Sequence, residues 1–97
     1  MSKVTLEGYI VVPDSELSAV TTELSRHIEL TRQEEGCLVF EVTVDQKVAT
    51  IFQVYEEFID RDAFEKHQLR VKQSRWAQVT TDVERHYKVT EATDKLT

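Results

Sequence analysis

Hydrophobic periodicity switches back and forth along this chain, and the order of the switches leaves few architectures open. From Val4 to Val12 the even positions Val4, Leu6, Ile10 and Val12 are apolar, a period of two that marks a strand, and Pro13 ends it. Leu17, Val20, Leu24 and Ile28 then recur at helical spacing. Asp14 or Ser15 is placed to accept the orphan amide hydrogen bonds of that helix, which is expected to last to about Gln33. Gly36 supplies a flexible turn residue, and Cys37 to Val44 reads as a strand rich in β-branched and aromatic residues. Asp45-Gln46-Lys47 is short enough for a hairpin into a third strand, Ala49 to Phe58. Asp60 is a good N-cap for a second helix. Phe64, His67 and Val71 share one face of it, while Trp76, Val79 and Val83 are offset, so a break is expected near Ser74, which can cap a second segment. Glu84 to Glu91 alternates as a final strand, and the polar tail from Ala92 to Thr97 is expected to fray.

The order βαββαβ with a central hairpin is that of a ferredoxin-like α+β sandwich, a four-stranded antiparallel sheet with helices on one face. At 97 residues and 40% hydrophobic content, residues 1–97 make one domain with no internal linker. The sheet's other face would carry Tyr9, Val11, Val39, Ile51 and Tyr55, a set too apolar to leave in water. A second copy presenting the same face would cover it, so a homodimer through the sheet face is expected.

Charge and composition exclude several classes. With 18 acidic and 12 basic side chains, a formal charge of -6 and no basic patch interleaved with aromatics, a nucleic-acid partner is not expected. No apolar run has the length of a membrane span, and Met1 to Glu7 contains no signal-like apolar core, so a cytoplasmic protein without a membrane partner is expected. Cys37, the one cysteine, has no companion for a disulfide or a zinc site and reads as a small buried hydrophobe.

Chemistry concentrates between Phe52 and His67. Alternation puts Glu56 on one strand face with Phe52, Val54 and Phe58, where a carboxylate is poorly solvated. His67, three residues after Phe64, borders the core from the following helix. Glu35-Gly36-Cys37-Leu38-Val39-Phe40-Glu41, followed by Tyr55-Glu56, Asp60, Ala63-Phe64 and His67, resembles the antibiotic biosynthesis monooxygenase family. The resemblance spans nearly the whole chain. It implies a dimeric α/β barrel, and it implies quinol- or anthrone-monooxygenase chemistry with oxygen as co-substrate and neither flavin nor metal.

On that reading a pocket lies between sheet and helices. Gly8, lacking a side chain among Val4, Leu6 and Ile10, would leave room in it, and His67, Arg70 and Ser74 would line one rim. A quinol or anthrone must lose a proton before its anion reacts with oxygen, so His67 is the candidate base and Glu56 the residue that orients it or shares its proton. Arg70 would stabilise the oxyanion, and Trp76 or Phe40 would supply a flat apolar wall.

Plainer roles compete for the same residues. Glu56 can pair with a helix cation such as Arg70, Trp76 can be a core residue, and Tyr9 and Tyr55 can belong to the dimer core. His27 and His86 read as structural or solvated, and Asp60 and Asp62 as an N-cap and a helix-dipole charge rather than metal ligands. Lys72 and Arg75 read as cations balancing an acidic surface. A non-oxidative isomerase or a small-molecule binding protein would use the same pocket. Haem-degrading relatives employ an asparagine, and this chain has none.

Overall fold

The computed structural model describes residues 2–92. Strand β1 (Lys3–Val11) is followed by a 3-10 turn (Asp14–Glu16) and helix α1 (Leu17–Arg32), then by strands β2 (Cys37–Val44) and β3 (Ile51–Phe58). Helix α2 (Arg61–Lys72), a short helix α3 (Arg75–Val79) and strand β4 (Glu84–Ala92) follow. The strands form one sheet in the order β2-β3-β1-β4 with every neighbour antiparallel, so the fold is a ferredoxin-like α+β sandwich. Among the described residues both outer strands, β2 and β4, have a free edge, so the sheet is open and does not close into a barrel. The tail expected to fray lies, from residue 93 onward, outside the described residues.

Local chemistry explains most boundaries. The Asp60 carboxylate accepts a 2.8 Å hydrogen bond from the Ala63 amide and starts α2. The break between α2 and α3 falls at Ser74, whose hydroxyl donates to the Val71 carbonyl at 2.7 Å and accepts from the Ala77 amide at 3.4 Å. Two expectations need correction. Among the described residues no side chain caps α1, because the 3-10 turn at Asp14–Glu16 leads the chain into the helix through backbone hydrogen bonds. The β2-β3 connection extends to Thr50 instead of closing after Lys47, because the Asp45 carboxylate gathers the Lys47 and Val48 amides and the Gln53 side chain into a wider loop.

The core fills one face of the sheet. Val4, Leu6 and Ile10 of β1 and Phe52, Val54 and Phe58 of β3 pack with Val20, Leu24, Phe64 and Trp76 from the helices. The opposite face carries Tyr9, Val11, Val39, Ile51 and Tyr55 as expected from alternation, interleaved with charge: Lys3 donates to Glu57 at 3.2 Å, and the Tyr55 hydroxyl donates to the same carboxylate. No helix is long and apolar enough to cross a membrane among the described residues.

Both glycines are required by close approach. Gly8 has a φ of +155°, and a Cβ there would sit 1.9 Å from the His86 carbonyl oxygen of β4. The space left by its missing side chain is therefore taken by the neighbouring strand's backbone, which corrects the expectation that Gly8 leaves room for a ligand. Gly8→Ala is expected to destabilise the fold by roughly 3 kcal/mol or more, from positive-φ strain plus overlap with a backbone that cannot move alone. Urea unfolding would measure it, and an unchanged midpoint would refute the account. Gly36 has no positive φ; a Cβ there would lie 2.3 Å from the Ala63 Cβ, so it serves the contact with α2 rather than turn flexibility.

Candidate active site

Glu56 lies in the middle of the core face, paired across the sheet with Leu6 on one side and Phe40 on the other. It is buried, and its Oε1 has no hydrogen-bond partner among the described residues. Burial, reinforced by the nearby Glu34 carboxylate, pushes its pKa up to about 8, so Glu56 is a neutral acid at pH 7. The helical spacing that carries Phe64 into the core carries His67 in with it, to 3% exposure. Its ring packs at 4.9 Å from Phe58 and 5.8 Å from Phe40, centroid to centroid.

The two ring nitrogens of His67 face two different carboxyl groups. Nδ1 is 2.9 Å from Glu34 Oε1 and 3.2 Å from Oε2, whereas Nε2 is 3.9 Å from Glu56 Oε1, beyond hydrogen-bond reach. Glu34 also accepts from Arg70 Nε, and Arg70 Nη2 donates to the buried Thr31 hydroxyl at 2.9 Å. Burial pushes the His67 pKa below the ordinary imidazole value, against the opposing pull of Glu34. The cluster therefore joins a Glu34–Arg70 ion pair to a His67 that burial holds toward its neutral form and a Glu56 that burial keeps protonated at neutral pH. With Nδ1–H donating to Glu34, the lone pair stays on Nε2, which makes Nε2 the basic atom.

A cleft of about 510 Å³ opens beside this cluster, lined by Glu34, Gly36, Ile59, Ala63, His67 and Arg70 among others. His67, Arg70, Glu56 and Phe40 thus come together around one acid-base centre. Ser74 does not join them: it caps α3 and lines a different cavity, shared with Arg70 and Trp76, so the single rim expected from spacing is divided between two cavities. Trp76 stacks on His27 at 4.5 Å with a 3° interplanar angle and forms no wall of the His67 cleft. The ion pair between Glu56 and Arg70 is not formed, because Arg70 reaches Glu34 instead.

Glu34, Thr31 and His27 are the residues that sequence reasoning missed or passed over. Glu34 lies beyond the end of α1 where no periodicity applies, and only its neighbour Glu35 attracted notice, through the turn at Gly36. His27 follows the apolar stripe of α1 and is buried as a stripe residue should be, yet its Nδ1 has no partner among the described residues. His86, in contrast, is on the opposite sheet face, stacked on Tyr9.

Residues 4–79 match the family model for antibiotic biosynthesis monooxygenase. Solved structures share the fold across the whole chain. A Pseudomonas aeruginosa protein is 22% identical with a TM-score of 0.77, over 99% of this chain and 97% of that one. An antibiotic biosynthesis monooxygenase is 24% identical with a TM-score of 0.69, over 100% of both chains. A conserved protein from Methanosarcina mazei is 15% identical with a TM-score of 0.69, over 98% of this chain and 94% of that one. No curated protein matches the sequence. The family match over residues 4–79, most of the chain, establishes that this chain belongs to the antibiotic biosynthesis monooxygenase family.

Proposed function

We propose that this protein is a cytoplasmic, cofactor-independent monooxygenase that oxidises a small aromatic, quinol or anthrone-like substrate with molecular oxygen. The observation that carries the reading is His67: a buried neutral imidazole, fixed through Nδ1 by Glu34, with no hydrogen bond to Nε2 among the described residues, beside a cleft the size of a small aromatic ligand. Nε2 takes a proton from the acidic O–H or C–H of the substrate. The resulting anion is stabilised from the Arg70 side and gives electrons to oxygen to form a peroxide. Loss of water from the peroxide leaves one oxygen atom in a quinone product and the other in the water. Glu56, protonated below pH 8, is the acid nearest Nε2 and can return the proton as water leaves.

The test is oxygen uptake with menadiol or an anthrone, compared with an anaerobic reaction. One oxygen molecule consumed per quinone formed is expected, and no turnover without oxygen. A histidine set between two carboxyl groups would also serve to move a proton between two positions on one substrate, so turnover retained under anaerobiosis would favour an isomerase over the monooxygenase. Saturable binding with no turnover would favour a binding protein.

The same proposal includes a homodimer through the open sheet face, which supplies the second half of an α/β barrel. Its support is the row of half-buried apolar groups there, Val11, Val39, Ile51 and Tyr55, with the more exposed Tyr9. Light scattering after size exclusion is expected to give a dimer mass at micromolar concentration. A stable monomer would overturn it.

A further inference from the structure

A second cavity, about 540 Å³, shares Arg70 with the His67 cleft but does not include His67. Its size lies within the range of small-molecule sites, roughly 300–1,000 Å³. Helix α1 contributes Glu23, Arg26, His27 and Leu30, which fall on one face at helical spacing, and the α2-α3 junction contributes Arg75 and Trp76. Three guanidinium groups therefore converge on one cavity in a chain of formal charge -6. Arg70 is held by Glu34, and Glu23 is 3.6 Å from Arg75 Nε, but Arg26 has no carboxylate partner among the described residues. With three arginines against the single carboxylate of Glu23, the lining is net positive within an acidic molecule, which concentrates small anions.

His27 also lines the cavity. Its side chain is 6% exposed, and its Nδ1, itself turned away from solvent, has no hydrogen bond among the described residues, an unusual condition for a buried polar atom. The ring stacks flat on Trp76. A half-turn about Cβ–Cγ preserves that stack while exchanging a nitrogen edge for a carbon edge, and no hydrogen bond among the described residues fixes which edge meets the cavity. Burial, with His67 and Arg70 close by, pushes its pKa down to about 3, so His27 offers a hydrogen bond and no charge.

We propose that this cavity is a binding site for a small carboxylate-bearing organic molecule. Arg26 and Arg75 hold the carboxylate, His27 donates a hydrogen bond to it, and the apolar body rests against Leu30 and Trp76. The assignment does not depend on the reaction proposed for the His67 cleft.

Trp76 is the only tryptophan of the chain and forms a wall of this cavity, so its emission reports occupancy directly. Titration with benzoate at pH 7 and low ionic strength is expected to give a saturable change in that emission. Benzamide, of the same shape without the charge, is expected to bind at least about tenfold more weakly, and R26Q/R75Q to bind benzoate at least about tenfold more weakly than the native protein. Arg75 is 70% exposed, so the variant leaves the core intact, and the benzamide comparison uses the native chain alone. Equal binding of benzoate and benzamide, undiminished affinity in the double variant, or no saturable response to benzoate would each overturn the proposal. Inorganic phosphate binding as tightly as benzoate would overturn the organic part of the ligand.

Discussion

His67→Ala is expected to lower turnover of a quinol or anthrone by about 10² to 10⁴-fold, the contribution of a positioned proton-transfer group. The loss should lie in kcat, because the proton moves only as the transition state forms, whereas the cleft walls that bind the substrate remain. The change also removes a buried ring packed against Phe58 and Phe40 and deprives Glu34 of one donor, so a fall in stability is expected beside the kinetic effect. Glu34→Gln separates the two. It leaves the ring in place but takes away the charge that raises the His67 pKa, so the acid limb of the pH-rate profile should move to lower pH. In the native protein that limb should already lie below the ordinary imidazole value, since burial depresses His67. Equal rates for the native protein and His67→Ala, with both folded by circular dichroism, would remove His67 from the mechanism.

Glu56→Gln is expected to stabilise the protein at alkaline pH and to leave it unchanged in acid. The sign follows from the raised pKa. Below pH 4.5, the ordinary value, folded and unfolded states both hold the proton and there is no penalty. Between 4.5 and about 8 the unfolded chain releases the proton while the folded protein keeps it, so stability falls as pH rises, and the full penalty stands above pH 8. Burial at 6% exposure makes the penalty large, on the order of 4 kcal/mol at pH 9, which for a domain of this size corresponds to about 10 °C or more in Tm. Glutamine keeps the shape and never ionises. Thermal melts at pH 4.5 and pH 9 check this directly, and a gain of equal size at both would refute it. His27 has the opposite sense: with its pKa depressed to about 3, stability is lost as pH falls from 6.5 through 3, so His27 contributes to the acid flank of the stability curve beside His67, Asp45 and Glu57, whose values are also lowered, while Glu56 acts in the opposite direction.

Much of the fold was legible because each element carries its own period. The alternation of Val4, Leu6 and Ile10 and of Phe52, Val54 and Phe58 identified strands and also their core face, and burial follows it residue by residue. The same reasoning placed Glu56 and His67 near the core, because Phe58 and Phe64 stand beside them at spacings that force a common side. Loops carry no such period. The Asp45 loop, the uncapped start of α1 and the place of Glu34 all depend on backbone paths between elements, and there the sequence reading fell short.

Trp76 and Arg70 show the same limit at the site. Both sit at helical positions compatible with one pocket, yet the bend at Ser74 rotates α3 so that Trp76 meets His27, and Arg70 spans two cavities. Gly8 is a further case, since the strand that fills its empty side is 78 residues away in sequence, at His86.

By itself, the sequence determined the order and type of the elements, the buried side of each, and the presence of an acid and a histidine facing the same core. Those follow from short-range periodicity, which a chain expresses before it folds. The tertiary structure alone decided that Glu34 rather than Glu56 binds His67 through Nδ1, that Arg70 pairs with Glu34, and that Glu56 is left neutral, its Oε1 without a hydrogen bond among the described residues. Protonation states and hydrogen bonds depend on distances of a few ångströms between residues 30 to 40 positions apart, and only packing sets those distances.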